Sequence, residues 1–244
     1  MYQSLKKIIK GFMPSGFLNK NETLLRSCIA FFYKGGTYQC NLCGFKLSKF
    51  VVTENFGSIC PKCGSISRNR RLWTLIKDTL KNKKVLHFSP SHSLKEQIQK
   101  ANTKEYITTD YLGEFQAMKK LNIEAIDEPD NYYDVIICYH VLEHVAQDRK
   151  AMQELYRILK PNGVCYVQTP FKEGDNYEDN TIVTEADRLK YFGQEDHLRI
   201  YSVSGLSNRL QEAGFKIDVL DYEEDAKNVL GFLKKESVII ASKN

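Results

Sequence analysis

From residue 84 onward the chain alternates short apolar runs with amphipathic stretches, and this pattern constrains the fold more than any other feature of the sequence. KVLHFSP, EYITTDY, DVIICYHV and GVCYVQTP read as strands, while SLKEQIQKAN and AMQELYRILK, lying among them, read as helices. Strands linked by crossover helices predict a parallel sheet covered on both faces. After an irregular stretch at 171–200, a helix over SVSGLSNRLQEAG and two further strands, FKIDVLDY and ESVIIASK, complete the series. In such a sheet ligands bind outside the carboxyl ends of the strands, near the point where the strand order reverses.

The front of the chain follows a different rule. Cys40-Asn41-Leu42-Cys43 and Cys60-Pro61-Lys62-Cys63 are two C-x-x-C pairs with sixteen residues between them, each followed by glycine, Gly44 and Gly64. This is zinc-ribbon spacing: each pair forms a tight turn, and four thiolates close a tetrahedral shell with no open position for water. The predicted Zn²⁺ site at Cys40, Cys43, Cys60 and Cys63 is therefore structural and supplies folding free energy to a segment too short for its own core. A dithiol redox site is the competing reading, but it needs only one pair. The seven cysteines, an odd number, argue against a disulfide framework, and Cys28, Cys138 and Cys165 are expected as buried core thiols.

Charge separates the same two regions. Residues 1–84 hold 16 Lys/Arg against 3 Asp/Glu and residues 85–244 hold 19 against 27, so the parts carry +13 and −8, which sum to the net +5. A basic front favours an anionic partner such as RNA or an anionic membrane surface, against the plain alternative of a solvated basic face. Arg68, Arg70 and Arg71 open an amphipathic stretch, RNRRLWTLIKDTLK, predicted to be a helix linking ribbon to main domain, and form a candidate phosphate-binding cluster. Within 1–12, Tyr2, Leu5, Ile8, Ile9 and Phe12 fall at helical spacing beside Lys6, Lys7 and Lys10, a pattern that either packs on protein or lies on an anionic membrane. No window reaches the roughly eighteen apolar residues of a membrane span, and the first residues lack the apolar core of a secretory signal. The expected location is the cytoplasm, with peripheral membrane contact as the variant.

Residues 129–170, PDNYYDVIICYHVLEHVAQDRKAMQELYRILKPNGVCYVQTP, resemble the fourth strand, following helix, turn and fifth strand of class I S-adenosylmethionine-dependent methyltransferases. The resemblance runs from about 84 to 243. It implies a Rossmann-like seven-stranded α/β sheet with helices on both faces, its last strand antiparallel beside the sixth. The organisation expected is a basic helical segment at 1–35, a zinc ribbon at 36–67 and a methyltransferase domain at 68–244 with a lid near 171–200.

The resemblance also implies S-adenosylmethionine as cofactor. Its methionine end would lie on the turn carrying His87, Phe88, Ser89 and Pro90, where Ser89, Ser91 and Ser93 replace the usual glycines and His87 stands where an acid is common. Asp110 matches the acid that takes both ribose hydroxyls, Asn122 the adenine contact and Ile123 its backbone neighbour, while Tyr139 and His140 would face the cofactor. Asp196-His197-Leu198-Arg199 resembles a D-H-x-R run, making His197 the candidate general base or substrate contact and Arg199 the candidate anion or substrate anchor.

His140-Val141-Leu142-Glu143-His144 also matches a zinc-peptidase helix pattern, but His140 ends a strand, so the two imidazoles need not converge. A minority of methyltransferases bind a divalent ion at equivalent positions, which keeps His140, Glu143 and His144 as a metal candidate. The alternative is that Glu143 and His144 open the following helix and pack locally. The activity expected is methyl transfer to a sugar or other small biosynthetic metabolite. The alternatives are RNA methylation through the basic front or a non-catalytic zinc-ribbon adaptor.

Overall fold

The computed structural model describes residues 22–53, 57–113, 115–223 and 225–244, so the amphipathic helix expected at 1–12 lies outside the described residues. The chain forms two compact units: one of Met1–Lys77, Ser91–Gln97 and Glu223–Lys235, the other of Asp78–Pro90, Ile98–Tyr222 and Glu236–Asn244. The first unit thus takes in 223–235, a segment that the sequence places in the main domain. Among the described residues no helix is long and apolar enough to cross a membrane.

In the first unit, helix α1 (Glu22–Phe31) precedes strands β1 (Lys34–Gln39) and β2 (Lys46–Leu47), which pair antiparallel, as do β3 (Val51–Thr53) and β4 (Gly57–Ile59). Helix α2 (Ser67–Ile76) follows and buries Leu72 and Ile76. Two of the three arginines of the candidate phosphate cluster on α2 are turned to protein partners. Arg70 is fully buried and donates to the carbonyls of Ser58, Ser65, Leu230 and Gly231, and the Arg71 guanidinium lies 3.8 Å from the centre of the Phe232 ring. Cys28, expected in a core, is exposed: with Leu24 and Phe31 it falls on the outward side of α1, while Ala30 is buried on the other.

The second unit is built on a six-stranded sheet. Strands β5 (Lys84–Phe88), β6 (Glu105–Thr109), β7 (Tyr133–Tyr139) and β8 (Leu159–Gln168) are parallel, while β12 (Glu236–Ser242) runs antiparallel to β8 and to β11 (Lys216–Tyr222). The strand order is β11-β12-β8-β7-β5-β6, so order reverses between β5 and β7. The last strand inserts as expected, and among the described residues the sheet has six strands rather than the seven expected. Beyond β6 the chain makes only isolated bridges, Thr109 with Lys119 and Asn122 with Ala125. That edge is instead closed by a loop, whose Met118 and Lys119 amides bond the Thr108 carbonyl and whose Leu121 amide bonds the Thr109 hydroxyl. The polar, charged run there lacks the continuous apolar residues of a strand and covers the open edge without extending it.

The central strands form for the reason read from the sequence: Tyr133 and Val135–Tyr139 are buried, as a parallel strand covered on both faces requires. Helix α3 (His92–Gln99) follows β5 and α4 (Asp148–Ile158) follows β7. Helix α4 buries a single stripe of Ala151, Met152, Leu155 and Ile158 into a core shared with Leu86, Ile136 and Val167. Between β8 and β11 lie β9 (Phe171–Lys172), α5 (Glu185–Phe192), β10 (Tyr201–Ser202) and α6 (Val203–Glu212). Thr184 caps α5 by accepting from the Asp187 amide, Gly193 ends it at φ +85°, and Ser202 caps α6 by accepting from the Gly205 amide.

Candidate functional site

The carboxyl ends of β5 and β6 meet at Ser89 and Asp110. Ser89 takes φ +43°, the left-handed backbone that a glycine would hold without strain. Its amide donates to the Thr109 carbonyl at 2.8 Å and its hydroxyl donates to Asp110 Oδ1 at 2.9 Å. The Phe115 amide donates to Oδ2 at 3.2 Å, so the buried Asp110 carboxylate is fixed through both oxygens. A carboxylate has about four acceptor sites, and two remain for a pair of neighbouring hydroxyls. A carboxylate fixed in this way can accept from two neighbouring hydroxyls, as the expected ribose contact of Asp110 requires.

The other expected cofactor residues divide. His87 is buried within the sheet with its Nδ1 2.9 Å from the Tyr106 hydroxyl, and burial pushes its pKa down to about 3, so it is a neutral partner of Tyr106 rather than a ligand at the turn. Phe88 and Ile123 belong to the hydrophobic core. Pro90 is buried next to Ser89 in sequence. Asn122 Oδ1 accepts from the Glu124 amide at 3.0 Å, closing a local turn. Tyr139 ends β7, buried.

At the end of β7 a second group of side chains gathers. His140 takes φ +55° and donates its amide to the Gln168 carbonyl at 2.8 Å. A short 3-10 turn, Leu142–His144, follows, and α4 starts only at Asp148, so Glu143 and His144 do not open that helix. Glu143 is 1% exposed with neither carboxylate oxygen hydrogen-bonded, and His140 Nδ1 lies 3.3 Å from its Oε1. His140 Nε2, Gln168 Oε1 and His197 Nε2 are likewise buried without a hydrogen-bond partner. Buried polar atoms are normally paired, so this concentration at the ligand-binding edge of the sheet calls for a cause.

His197 also lies here, with the Phe192 carbonyl 3.2 Å from its Nδ1 and the His144 ring 4.7 Å away. Burial lowers its pKa, against the opposing charge of Glu143. Arg199 is not an anion anchor: its guanidinium donates to the carbonyls of Leu142, Val145 and Ala146 and to Glu178, so it clamps the turn. Sequence reasoning missed Asp196, 2.9 Å from His144 Nδ1, although it lies beside His197 in the same run. It also missed the network of Asp148, Glu178, Arg199 and Arg209, whose only trace in the sequence is the acidic lid segment.

In the first unit the four cysteines converge as predicted. Cys40 Sγ lies 3.7 Å from Cys63 Sγ and Cys43 Sγ 3.7 Å from Cys60 Sγ, with all four sulfurs within 4.8 Å of one another. Sulfurs at about 2.3 Å from a zinc ion lie about 3.8 Å apart in a regular tetrahedron, whereas a disulfide holds them at about 2.05 Å. The two turns are alike: the Gly44 and Gly64 amides bond the Cys40 and Cys60 carbonyls at 2.8 and 2.9 Å, with φ of +69° and +74°. The arrangement is compatible with a structural zinc.

Residues 103–220 match a family model described as a methyltransferase domain, a match that begins beyond β5 and its turn. The chain is 38% identical over 58 residues to the ubiquinone biosynthesis O-methyltransferase of Rickettsia prowazekii, covering 24% of this chain and 23% of that protein. It is 29% identical over 100 residues to a probable S-adenosylmethionine-dependent methyltransferase of Mycolicibacterium smegmatis, covering 40% and 34%. The chain thus spans about a quarter to a third of the length of these curated relatives. In fold it is similar to the crystal structure of a SAM-dependent methyltransferase from Archaeoglobus fulgidus, with a TM-score of 0.50 and 17% identity over 72% of this chain and 93% of that one.

Proposed function

We propose that the second unit is a class I S-adenosylmethionine-dependent methyltransferase domain and that the protein methylates an oxygen of a small acceptor such as a sugar or another biosynthetic metabolite, a reading supported by the matched methyltransferase-domain model and the methyltransferase relatives. The observation that carries this reading is the Ser89–Asp110 pair at the carboxyl ends of β5 and β6, next to the β5–β7 boundary where strand order reverses. Bound there, S-adenosylmethionine would supply a sulfonium methyl already activated for displacement. The chain's own task is placement: Asp110 accepts from two hydroxyls, Ser89 holds the Asp110 carboxylate in one orientation, and the buried strand ends exclude water. The relatives include both O- and C-methyltransferases, and of these two acceptor atoms oxygen is the one proposed. His197 is left out as an isolated base, because it lies in a cluster with Glu143 and His144.

Calorimetric titration of the zinc-loaded protein with S-adenosylmethionine and S-adenosylhomocysteine tests the reading. Micromolar binding of both is expected, and Asp110→Ala should weaken it tenfold or more, about the loss of a charged hydrogen-bond pair. Absence of binding at millimolar cofactor, or unchanged affinity in the variant, would overturn it.

The basic front supports a second reading, an RNA acceptor, since residues 1–84 carry +13. RNA retention that falls steeply with added salt would favour it over the small acceptor. With Arg70 buried and Arg71 stacked, that charge must act through other side chains.

A further inference from the structure

We infer that Glu143, His144 and His197 form a second metal site, for a divalent first-row transition ion, at the carboxyl end of β7. One ligand atom from each residue lies within 4.8 Å of the others, close enough for side-chain adjustment to close them on an ion.

The protonation pattern supports a metal more than any single distance. His144 Nδ1 is taken by Asp196 Oδ2 at 2.9 Å and His197 Nδ1 by the Phe192 carbonyl at 3.2 Å. Each contact holds the proton on Nδ1 and leaves the Nε2 lone pair for a cation, the arrangement that orients metal-binding histidines. Glu143 completes the set as a buried carboxylate with no hydrogen bond to either oxygen. His140 Nδ1, 3.3 Å away, forms no hydrogen bond with it, and a cation between the carboxylate and the two imidazoles would offset the cost of burying it.

The ligands are also held before any ion arrives. Arg199 bonds the carbonyls of Leu142 and Val145 on either side of the ligand turn, and the Tyr201 hydroxyl adds a bond to the Leu142 carbonyl at 3.4 Å. The Leu198 amide donates to the Glu143 carbonyl at 2.9 Å, tying the segment that carries His197 to the one that carries Glu143. His140, 3.3 Å from Glu143, has its own Nε2 buried and without a hydrogen bond.

Two imidazoles and a carboxylate suit zinc, manganese, iron or cobalt better than calcium or magnesium, and three protein ligands leave an exchangeable position. Resting on the methyltransferase reading, that position is where an acceptor hydroxyl would bind and lose its proton to water near neutral pH. The acceptor class is then a hydroxyl compound that can enter a metal's coordination shell, and no isolated general base is needed.

Cobalt titration of the full chain, with zinc already in the cysteine site, tests this. One equivalent of Co²⁺ should bind at micromolar concentration and give visible d–d absorption without a thiolate charge-transfer band. Glu143→Gln and His197→Ala should weaken binding at least tenfold, and Asp196→Asn, which removes an outer partner, about tenfold. If the Glu143 variant does not fold, His144→Gln, at a partly exposed position, carries the same test. No cobalt uptake at millimolar concentration, or equal uptake by the ligand variants, would overturn the site. Cofactor calorimetry on the same samples separates the failures: S-adenosylmethionine binding without cobalt uptake removes the metal site alone, and cobalt uptake without cofactor binding removes the methyltransferase reading alone.

Discussion

The cysteine cluster of the first unit and the Glu143 cluster of the second are each accompanied by a buried arginine that bonds backbone carbonyls, yet the two arginines answer different charges. Arg70 donates to the carbonyls of Ser58, Ser65, Leu230 and Gly231 and stacks 4.2 Å from the Phe50 ring centre, with no carboxylate among these partners. Burial lowers its pKa and the four cysteines oppose that fall, so the thiolates are its counter-charge. Arg199 has acids of its own, Glu178 at 3.0 Å and Asp148 at 4.0 Å, and its charge is already met. Four thiolates around zinc are doubly negative, and a cation beside them stabilises a closed shell. One carboxylate and two neutral imidazoles around the same ion leave a single positive charge, which suits an oxygen anion arriving from outside. The first arrangement builds structure and the second leaves a place for chemistry.

The largest expected effect breaks the first half of that contrast. Cys40→Ser should release the zinc and unfold the first unit, since structural zinc in small modules contributes on the order of 10 kcal/mol. Zinc analysis and hydrogen exchange across β1–β4 would read this, and retention of both zinc and protection would show that the thiolates do not hold the unit together. Arg70→Met comes next, with a loss of about 3–5 kcal/mol in denaturant unfolding of that unit, because buried carbonyls lose their donors and the thiolates their cation. Arg70→Lys should not restore it, since three donors on a point charge cannot reach what a planar fork reaches. Equal stability of Arg70→Met and the native chain would mean that the thiolates need no counter-charge.

How far each region could be read in advance follows from where its partners lie in the chain. The cysteine site was legible because each ligand pair sits in one turn with its own glycine, so local spacing carries the geometry. The buried run of β7 and the single apolar stripe of α4 were legible for the same reason. The Arg70 site was not, since two of its acceptors, the Leu230 and Gly231 carbonyls, lie about 160 residues away and are backbone groups that leave no mark on a side-chain pattern. Arg199 likewise reads as an anchor until the carbonyls of Leu142, Val145 and Ala146 are seen around it. The serine at position 89 looked like a defect in a glycine turn, and only its bond to Asp110 shows why a left-handed serine is held there. That the described residues form no seventh strand was hidden because hydrogen bonds from a loop to Thr108 and Thr109 occupy the edge that a strand would use.

A smaller effect sharpens the second half of the contrast. Arg199→Met removes the clamp on the Glu143 turn, but Arg209 still bonds both Asp148 and Glu178, so the acids keep one cationic partner. The expected loss is therefore about 3 kcal/mol, at the lower end for breaking a buried pair. Its pH dependence separates a charge effect from a packing effect. Burial alone would raise the Asp148 pKa, yet the Tyr201 hydroxyl, Arg199 and Arg209 together hold it below the ordinary value of 3.8. A carboxylate depressed in the folded state contributes stability above its unfolded pKa and loses it as pH falls through the folded value. Removing Arg199 brings the folded value back toward the unfolded one, so the variant should trail the native chain most at neutral pH and converge on it below about pH 4. Denaturant unfolding of both proteins from pH 7 to pH 3 reads this, and a gap that stays constant would assign Arg199 to holding the carbonyls of the turn and not to its charge.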